Sequence, residues 1–180
     1  MDMVNYGFGM PTRLVADGDV ARWCGRLVAH YGGTRVLVIV PAETDLREGV
    51  ARDAIGSLDR ALLDRSEFRC ADGGAVPDPS LIEEIAAQGA DDKVDFVLAV
   101  GGVGAIELAR AVAERLAELS FSADGFFPYG GVLTHAKRPR AAGEPCDPDK
   151  VPVFVIVAPE LLDQIDEPLR GALVDVCGAA

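Results

Sequence analysis

Three glycines within four residues give the strongest chemical signal in this sequence. The segment Gly101-Gly102-Val103-Gly104 follows an apolar run at 95–100 and precedes an amphipathic stretch at 105–119. Glycine lacks a Cβ, so a ligand can approach the backbone closely. The start of a helix also presents unpaired N–H groups and the positive end of its dipole. Together these features suit a pyrophosphate, although a tight turn without a ligand would use the same glycines.

The glycine turn matches neither of the two common nucleotide-binding motifs. Counted from Gly102, the Rossmann pattern needs its third glycine where Glu107 stands, and a P-loop needs Gly-Lys-Ser/Thr. Glu107 lies early in the predicted helix. Its carboxylate can stabilise the helix dipole or contact a ligand, and the sequence leaves both roles open.

Three apolar runs predict the strands that position this turn. Residues 35–40 end at Pro41, residues 95–100 end at the glycines, and the run 151–157 predicts a strand from about Val153. Runs that are continuously apolar are typical of strands covered on both faces. Residues 9–16 are a candidate for one more strand.

Helical periodicity alternates with these strands. The pattern predicts helices over 19–31, 47–63 and 105–119, and one that opens at Pro79 with a capping box of Ser80 and Glu83. We expect Trp23 to lie in the core. Strands alternating with helices predict an α/β fold of three layers, with a mainly parallel sheet and helices on both faces. Ligands bind at the carboxyl ends of the strands in such sheets.

Two segments are less regular. Residues 130–150 are rich in glycine, proline and charge, which predicts a long loop or loose hairpin. Residues 160–177 predict a helix interrupted near Pro168. We treat residues 1–180 as a single domain, because the length fits one ordinary folding unit.

Composition excludes several classes of function. The 17 basic and 29 acidic residues give a net charge of −12, which disfavours nucleic acids and anionic membranes as partners. There is neither a long apolar run nor a signal-peptide pattern, so we expect no membrane association and a cytoplasmic location. The four cysteines are far apart, which favours neither disulfides nor a zinc cluster.

The order of these motifs resembles the N-terminal dinucleotide-binding domain of the iron-dependent alcohol dehydrogenases, a family related to glycerol dehydrogenase and dehydroquinate synthase. The likeness runs from about residue 6 to residue 157. It is carried by the opening strand at 11–15, the strand at 35–40, the Val76-Pro77-Asp78-Pro79-Ser80 turn, the segment 95–110, and the later pair Asp124 and Tyr129.

This resemblance implies a nicotinamide cofactor, NAD or NADP. The positions that match the family's cofactor site are Gly101, Gly102, Val103, Gly104, Glu107 and Asp78. In the family's reaction a metal polarises the alcohol oxygen and hydride passes to the nicotinamide.

The sequence departs from the family at the cofactor site. Val103 replaces a glycine, Gly104 a serine and Glu107 an aspartate. Near the adenosine ribose, Pro41-Ala42 stands where the family has Thr-Asp. A carboxylate for the ribose hydroxyls is then missing unless Glu43 or Asp45 supplies it.

The family's metal ligands, one Asp and three His, belong to a helical C-terminal domain. This sequence has only His30 and His135, so we expect no metal on this chain alone. The resemblance thus implies an NAD(P)-binding domain that is not catalytic by itself and that functions as a homo-oligomer or with a separate metal-binding subunit. The alternative is a non-catalytic relative that binds another phosphorylated ligand or serves regulation or assembly.

Overall fold

The computed structural model describes residues 13–15, 19–70, 78–120, 127–134, 151–157 and 161. Within them lie six strands: β1 Arg13–Val15, β2 Arg35–Pro41, β3 Asp64–Cys70, β4 Phe96–Gly101, β5 Tyr129–Leu133 and β6 Phe154–Val157. The helices are α1 Cys24–His30, which follows a 3-10 helix at Val20–Trp23, α2 Gly49–Arg60, α3 Pro79–Asp91 and α4 Val103–Leu119.

All the strand pairs are parallel, in the order β1-β6-β5-β4-β2-β3. From β2 the chain moves outward to β3, then crosses back to β4 and continues through β5 to β6. The strand order therefore reverses between β2 and β4. In open α/β sheets, ligands bind at the carboxyl ends of the strands at such a reversal.

The two sheet faces are each buried under helices. In β2, Leu37 and Ile39 belong to the core formed with α3 and α4, while Val36, Val38 and Val40 belong to the core formed with α1 and α2. This double burial explains the continuous apolar run, since neither face of the strand contacts water. The predicted three-layer α/β fold is confirmed.

Strand β3 was not expected from the sequence. Its residues are mostly charged, and its side chains are exposed or half-buried until Cys70. The strand lies at the sheet edge and pairs only with β2. An edge strand can keep charged side chains in water, and these also discourage pairing with another chain. The apolar pattern that marks a buried strand is therefore missing.

Strand β5 corrects the prediction of a loop from residue 130. Gly130 and Gly131 are strand residues because larger side chains would not fit. A Cβ at Gly130 would lie 2.7 Å from the Phe154 ring, and one at Gly131 would lie 2.7 Å from Ile106 Cδ1. Packing therefore requires glycine at both positions. Because the glycines interrupt the apolar pattern, the sequence did not predict a strand here. The rest of the predicted loop, 135–150, lies outside the described residues.

Helix α3 begins differently from the prediction. Asp78, not Ser80, is the N-cap, and its side chain accepts a hydrogen bond from the Ser80 amide. Pro79 then occupies the first helical position, where its missing N–H costs nothing. The capping box assigned to Ser80 and Glu83 is therefore wrong. The predicted C-terminal helix lies outside the described residues except for Leu161.

Candidate functional site

The glycine turn lies at the carboxyl end of β4, beside the point where the strand order reverses. Gly101 ends the strand next to the end of β2. A Cβ on Gly101 would lie 2.8 Å from Cδ and Cγ of Pro41 and 3.0 Å from Cβ of Ala105. Real Cβ contacts are longer than this, so packing alone requires glycine at this position.

Gly102 is the N-cap of α4, with φ −83° and ψ −175° and without a side-chain cap. Its carbonyl accepts hydrogen bonds from the amides of Ala105, at 3.1 Å, and Ile106, at 3.4 Å. Among the described residues, no group accepts from the amides of Val103 or Gly104. Unpaired first-turn amides with the positive helix dipole behind them are what an anion site requires.

The side chain of Val103 packs into the protein interior. It is fully buried and belongs to the apolar core beneath α3 and α4. The residue that departs most from the family's glycine pattern thus adds to the core. Its backbone amide still lies in the first turn of α4.

The turn as a whole is enclosed. Each residue from Gly101 to Gly104 is buried, while Glu107 is half-buried. Since α4 begins at Val103, Glu107 is in the second turn, and the first turn contains no acidic residue. The backbone amides of the turn are therefore largely shielded from solvent.

Asp78 is exposed and caps its own helix. One oxygen of its carboxylate accepts from the Ser80 amide at 2.9 Å and from Ser80 Oγ at 2.8 Å. These hydrogen bonds hold the pKa of Asp78 below its usual value. Within the described residues, no hydrogen bond or ion pair joins Asp78 to the glycine turn.

The connection after β2 folds tightly over the strand ends. The amide of Thr44 donates to the Pro41 carbonyl at 3.0 Å, and the amide of Ala42 donates to the Cys70 carbonyl at 2.8 Å. Asp45 Oδ1 accepts from the Arg47 amide at 2.8 Å, so this carboxylate braces the turn. Glu43 is exposed.

Sequence reasoning missed two residues of this corner. Thr44 is only 8% exposed, and within the described part of the chain its hydroxyl has no hydrogen-bond partner. Arg69 Nη1 approaches the carbonyl oxygen of Thr44 at 3.4 Å. No motif marks either residue. Arg69 was missed for a second reason: it lies on β3, and the sequence did not predict that strand.

The described residues contain no group of three or more side chains able to hold a metal ion. His30 lies on α1 with its ring edge against Tyr31. The matched positions Pro11, Thr12, Val76, Pro77 and Asp124 lie outside the described residues, as does the second histidine, His135. Of the helices that the structure describes, none combines the length and apolar character needed to span a membrane.

Comparison with known proteins agrees with this architecture. The sequence profile of iron-containing alcohol dehydrogenases matches residues 11–158. NADH-dependent butanol dehydrogenase B of Clostridium acetobutylicum is 27% identical over 113 residues, which are 62% of this chain and 28% of that protein.

Solved structures show the same fold. NADH-dependent butanol dehydrogenase A of Thermotoga maritima superimposes with a TM-score of 0.69 at 20% identity, over 96% of this chain and 49% of that one. An archaeal alcohol dehydrogenase from a Red Sea brine pool gives 0.71 at 15% identity, over 91% and 48%. This chain thus spans about half the length of these structures. Because the family profile covers most of its residues, the chain belongs to the iron-containing alcohol dehydrogenase family.

Proposed function

We propose that this chain is the nicotinamide-dinucleotide-binding domain of an iron-containing alcohol dehydrogenase-like oxidoreductase. The turn from Gly101 to Gly104 would hold the cofactor's pyrophosphate. The observation that carries the proposal is a pair of first-turn amides, those of Val103 and Gly104, which lie beside the reversal of strand order and have no acceptor among the described residues. Backbone amides and the helix dipole bind phosphate without a lysine or arginine, which suits an acidic chain.

Catalysis would need more than the described residues. The family's iron, when bound, supplies a Lewis acid for the alcohol oxygen. No set of ligands for it is formed by the part of the chain that the structure describes. We therefore assign cofactor binding to residues 1–180 as a single domain, and metal binding to a partner subunit or a second polypeptide segment. The names of the two butanol dehydrogenases, both NADH-dependent, support a nicotinamide cofactor and a small alcohol substrate.

A cytoplasmic location is part of this proposal. Cys24 is a fully buried thiol that forms no disulfide within the described residues. Burial raises the pKa of Cys24 to about 12, so the thiol stays protonated and unreactive. Such cysteines suit a reducing compartment.

The second candidate is a non-catalytic relative that retains the fold for assembly or regulation. Two observations favour it: the burial of the glycine turn, and the contact of Pro41 with Gly101. In this view the glycines are retained because of packing, and no diphosphate enters.

Calorimetric titration with NADH, NADPH and ADP-ribose separates the two candidates. The discriminating variant is Gly102→Asp. Its carboxylate would cap α4, occupy the first-turn amides and repel phosphate. Ala87→Asp, at an exposed position of α3, adds the same charge away from the turn.

Saturable binding of ADP-ribose by the native chain and by Ala87→Asp is expected, with a loss of at least about tenfold in Gly102→Asp. Circular dichroism verifies that both variants are folded. If the folded native chain does not bind any of the three nucleotides at millimolar concentration, the second candidate is correct.

A further inference from the structure

A cavity of about 250 Å³ lies at the amino ends of β2 and β3, beside the end of α3. Arg35 begins β2 and Asp64 begins β3, and the two residues pair in the sheet. Asp92 borders the same cavity directly after α3. The seven residues of β2 separate the cavity by about 20 Å from the carboxyl ends of the strands, where the glycine turn lies. A ligand in the cavity would therefore not compete with a nucleotide at that turn.

The sheet register shows which side chains face the cavity. Leu37 lies in the core formed with α3 and α4, and Phe68 packs against that core. Alternate residues of a strand share one face, so Arg35 and Ser66 lie on this face too. The short side chain of Ser66 leaves room beside Val94. The Ser66 hydroxyl is itself enclosed, so the polar contacts of a ligand must come from the charged side chains around it.

Arg35 supplies a guanidinium that is only loosely paired. Its side chain is 49% exposed, and its ion pair among the described residues joins Nε to an oxygen of the 83% exposed Asp64 at 3.9 Å. Such a long, exposed ion pair contributes little. Asp95 accepts from the backbone amide of Arg35 at 2.8 Å, which fixes the main chain there. The Nη atoms of Arg35 can therefore form a two-pronged contact with a carboxylate.

Asp92 supplies the opposite charge. It is exposed, and within the described ranges its carboxylate has neither a hydrogen bond nor an ion pair. It follows the last turn of α3, which contains no basic residue. The carboxyl end of a helix carries a partial negative charge, so this end of α3 favours a cation. Asp92 and the end of α3 are thus suited to an ammonium group.

These charges favour a ligand that carries both signs. Arg65 also borders the cavity, but two other carboxylates hold its guanidinium. A simple anion at Arg35 would be repelled by Asp64 and Asp92, and a simple cation would be repelled by Arg35. The volume is below the range of about 300–1,000 Å³ that is usual for small-molecule sites, so the ligand must be small. We propose that this cavity binds a free α-amino acid, with its carboxylate on Arg35 and its ammonium group on Asp92.

The test is a calorimetric titration of the full chain with L-alanine, L-valine and L-glutamine, three uncharged-side-chain amino acids of increasing size. N-acetyl-L-alanine lacks the ammonium group, and L-alaninamide lacks the carboxylate. The variants are Arg35→Gln and Asp92→Asn, which each remove one charge from the cavity. The matched controls are Asp91→Asn and Arg60→Gln, at exposed positions that do not border the cavity. Thermal melting verifies that all four variants fold.

Saturable binding of at least one of the three amino acids is expected, with a loss of at least about tenfold in either cavity variant and none in the controls. The acetylated and amidated compounds should bind at least about tenfold more weakly than L-alanine, because each leaves one protein charge unpaired. The inference is overturned if none of the amino acids binds at tens of millimolar. It is equally overturned if one of the two blocked compounds binds as well as L-alanine, or if the controls lose as much affinity as the cavity variants.

Discussion

At the scale of single residues, Val103 shows how one position serves two purposes. Its side chain belongs to the core, and its amide belongs to the turn at the end of β4. A valine is therefore accommodated at this position of the turn. The sequence alone could not show whether this bulky side chain blocks the turn, because that depends on the direction in which it points.

Shortening this side chain should destabilise the fold. Val103→Ala removes two methyl groups from a fully buried position, and we expect a loss of about 2 kcal/mol in the free energy of unfolding. Urea denaturation followed by circular dichroism measures it. Leu119→Ala, at a 38% exposed position at the end of the same helix, is the control and should cost clearly less. An equal cost for the two variants would mean that Val103 is not a core residue.

The stabilising effect of the Asp78 carboxylate on the fold is predicted to depend on pH. Hydrogen bonds from Ser80 favour its carboxylate, so its folded pKa is depressed and its stabilising effect is present above the unfolded pKa. That effect is lost as the pH falls through the folded pKa. Asp78→Ala should therefore lower the melting temperature by a few degrees near neutral pH and by much less in strong acid.

Thermal melts of both proteins across this pH range provide the measurement. Glu84→Ala, an exposed acid farther along α3, should show no comparable difference at neutral pH. If the difference between native and Asp78→Ala melting temperatures is the same at acidic and neutral pH, the carboxylate is not the group that caps the helix.

At the scale of elements, β2 and β4 are fitted to each other at their carboxyl ends. Pro41 occupies the space into which a Cβ of Gly101 would project. Glycine at position 101 therefore allows the Pro41 ring to pack against the end of β4. Pro41, with Ala42, stands where the family has its Thr-Asp pair. The side chain at position 41 therefore determines how much space is available at Gly101.

The contact predicts a coupled pair of substitutions. Gly101→Ala should cost about 1–3 kcal/mol of stability, because its Cβ would lie 2.8 Å from the Pro41 ring. In a Pro41→Ala background the same change should cost less, which a double-mutant cycle measures.

Gly56→Ala on α2 is the matched control. Its added Cβ would meet only the flexible end of Arg60, at 3.3 Å, and alanine favours a helix, so little or no loss is expected. Additive costs for Gly101→Ala and Pro41→Ala would show that the two side chains do not compete for the same space.

The sequence was most informative about buried elements. It predicted β2, β4 and β6 because strands covered on both faces are continuously apolar, and it predicted α4 from its buried stripe. It missed β3, whose edge position allows charges, and β5, whose glycines make room for Phe154 and Ile106.

Individual side chains were harder to predict than elements. Trp23 was expected in the core, yet it is 42% exposed and stacks against the guanidinium of Arg26 at 4.5 Å. The prediction assumed α-helical spacing, but Trp23 is the last residue of a 3-10 helix, which has a different period. The corner formed by Thr44 and Arg69 depends on strand pairing, which no local pattern encodes.

At the scale of the whole molecule, the all-parallel sheet brings segments that are distant in sequence to one edge. Thr44 follows β2, Arg69 lies near the end of β3 and the glycine turn follows β4, so all three lie at the same edge although they are far apart in sequence. The chain shares this sheet with alcohol dehydrogenases of about twice its length. We therefore expect nucleotide binding to be separable from catalysis.

The most direct test of this account is a ¹⁵N-NMR titration of the native chain with ADP-ribose. If the turn holds a diphosphate, the amide resonances of Val103 and Gly104 will move saturably with ligand concentration, and those at the amino ends of the strands will stay fixed. If those two resonances remain unchanged at saturating nucleotide, or if no resonance moves at all, the glycine turn is a packing feature and the account of a cofactor cradle is wrong.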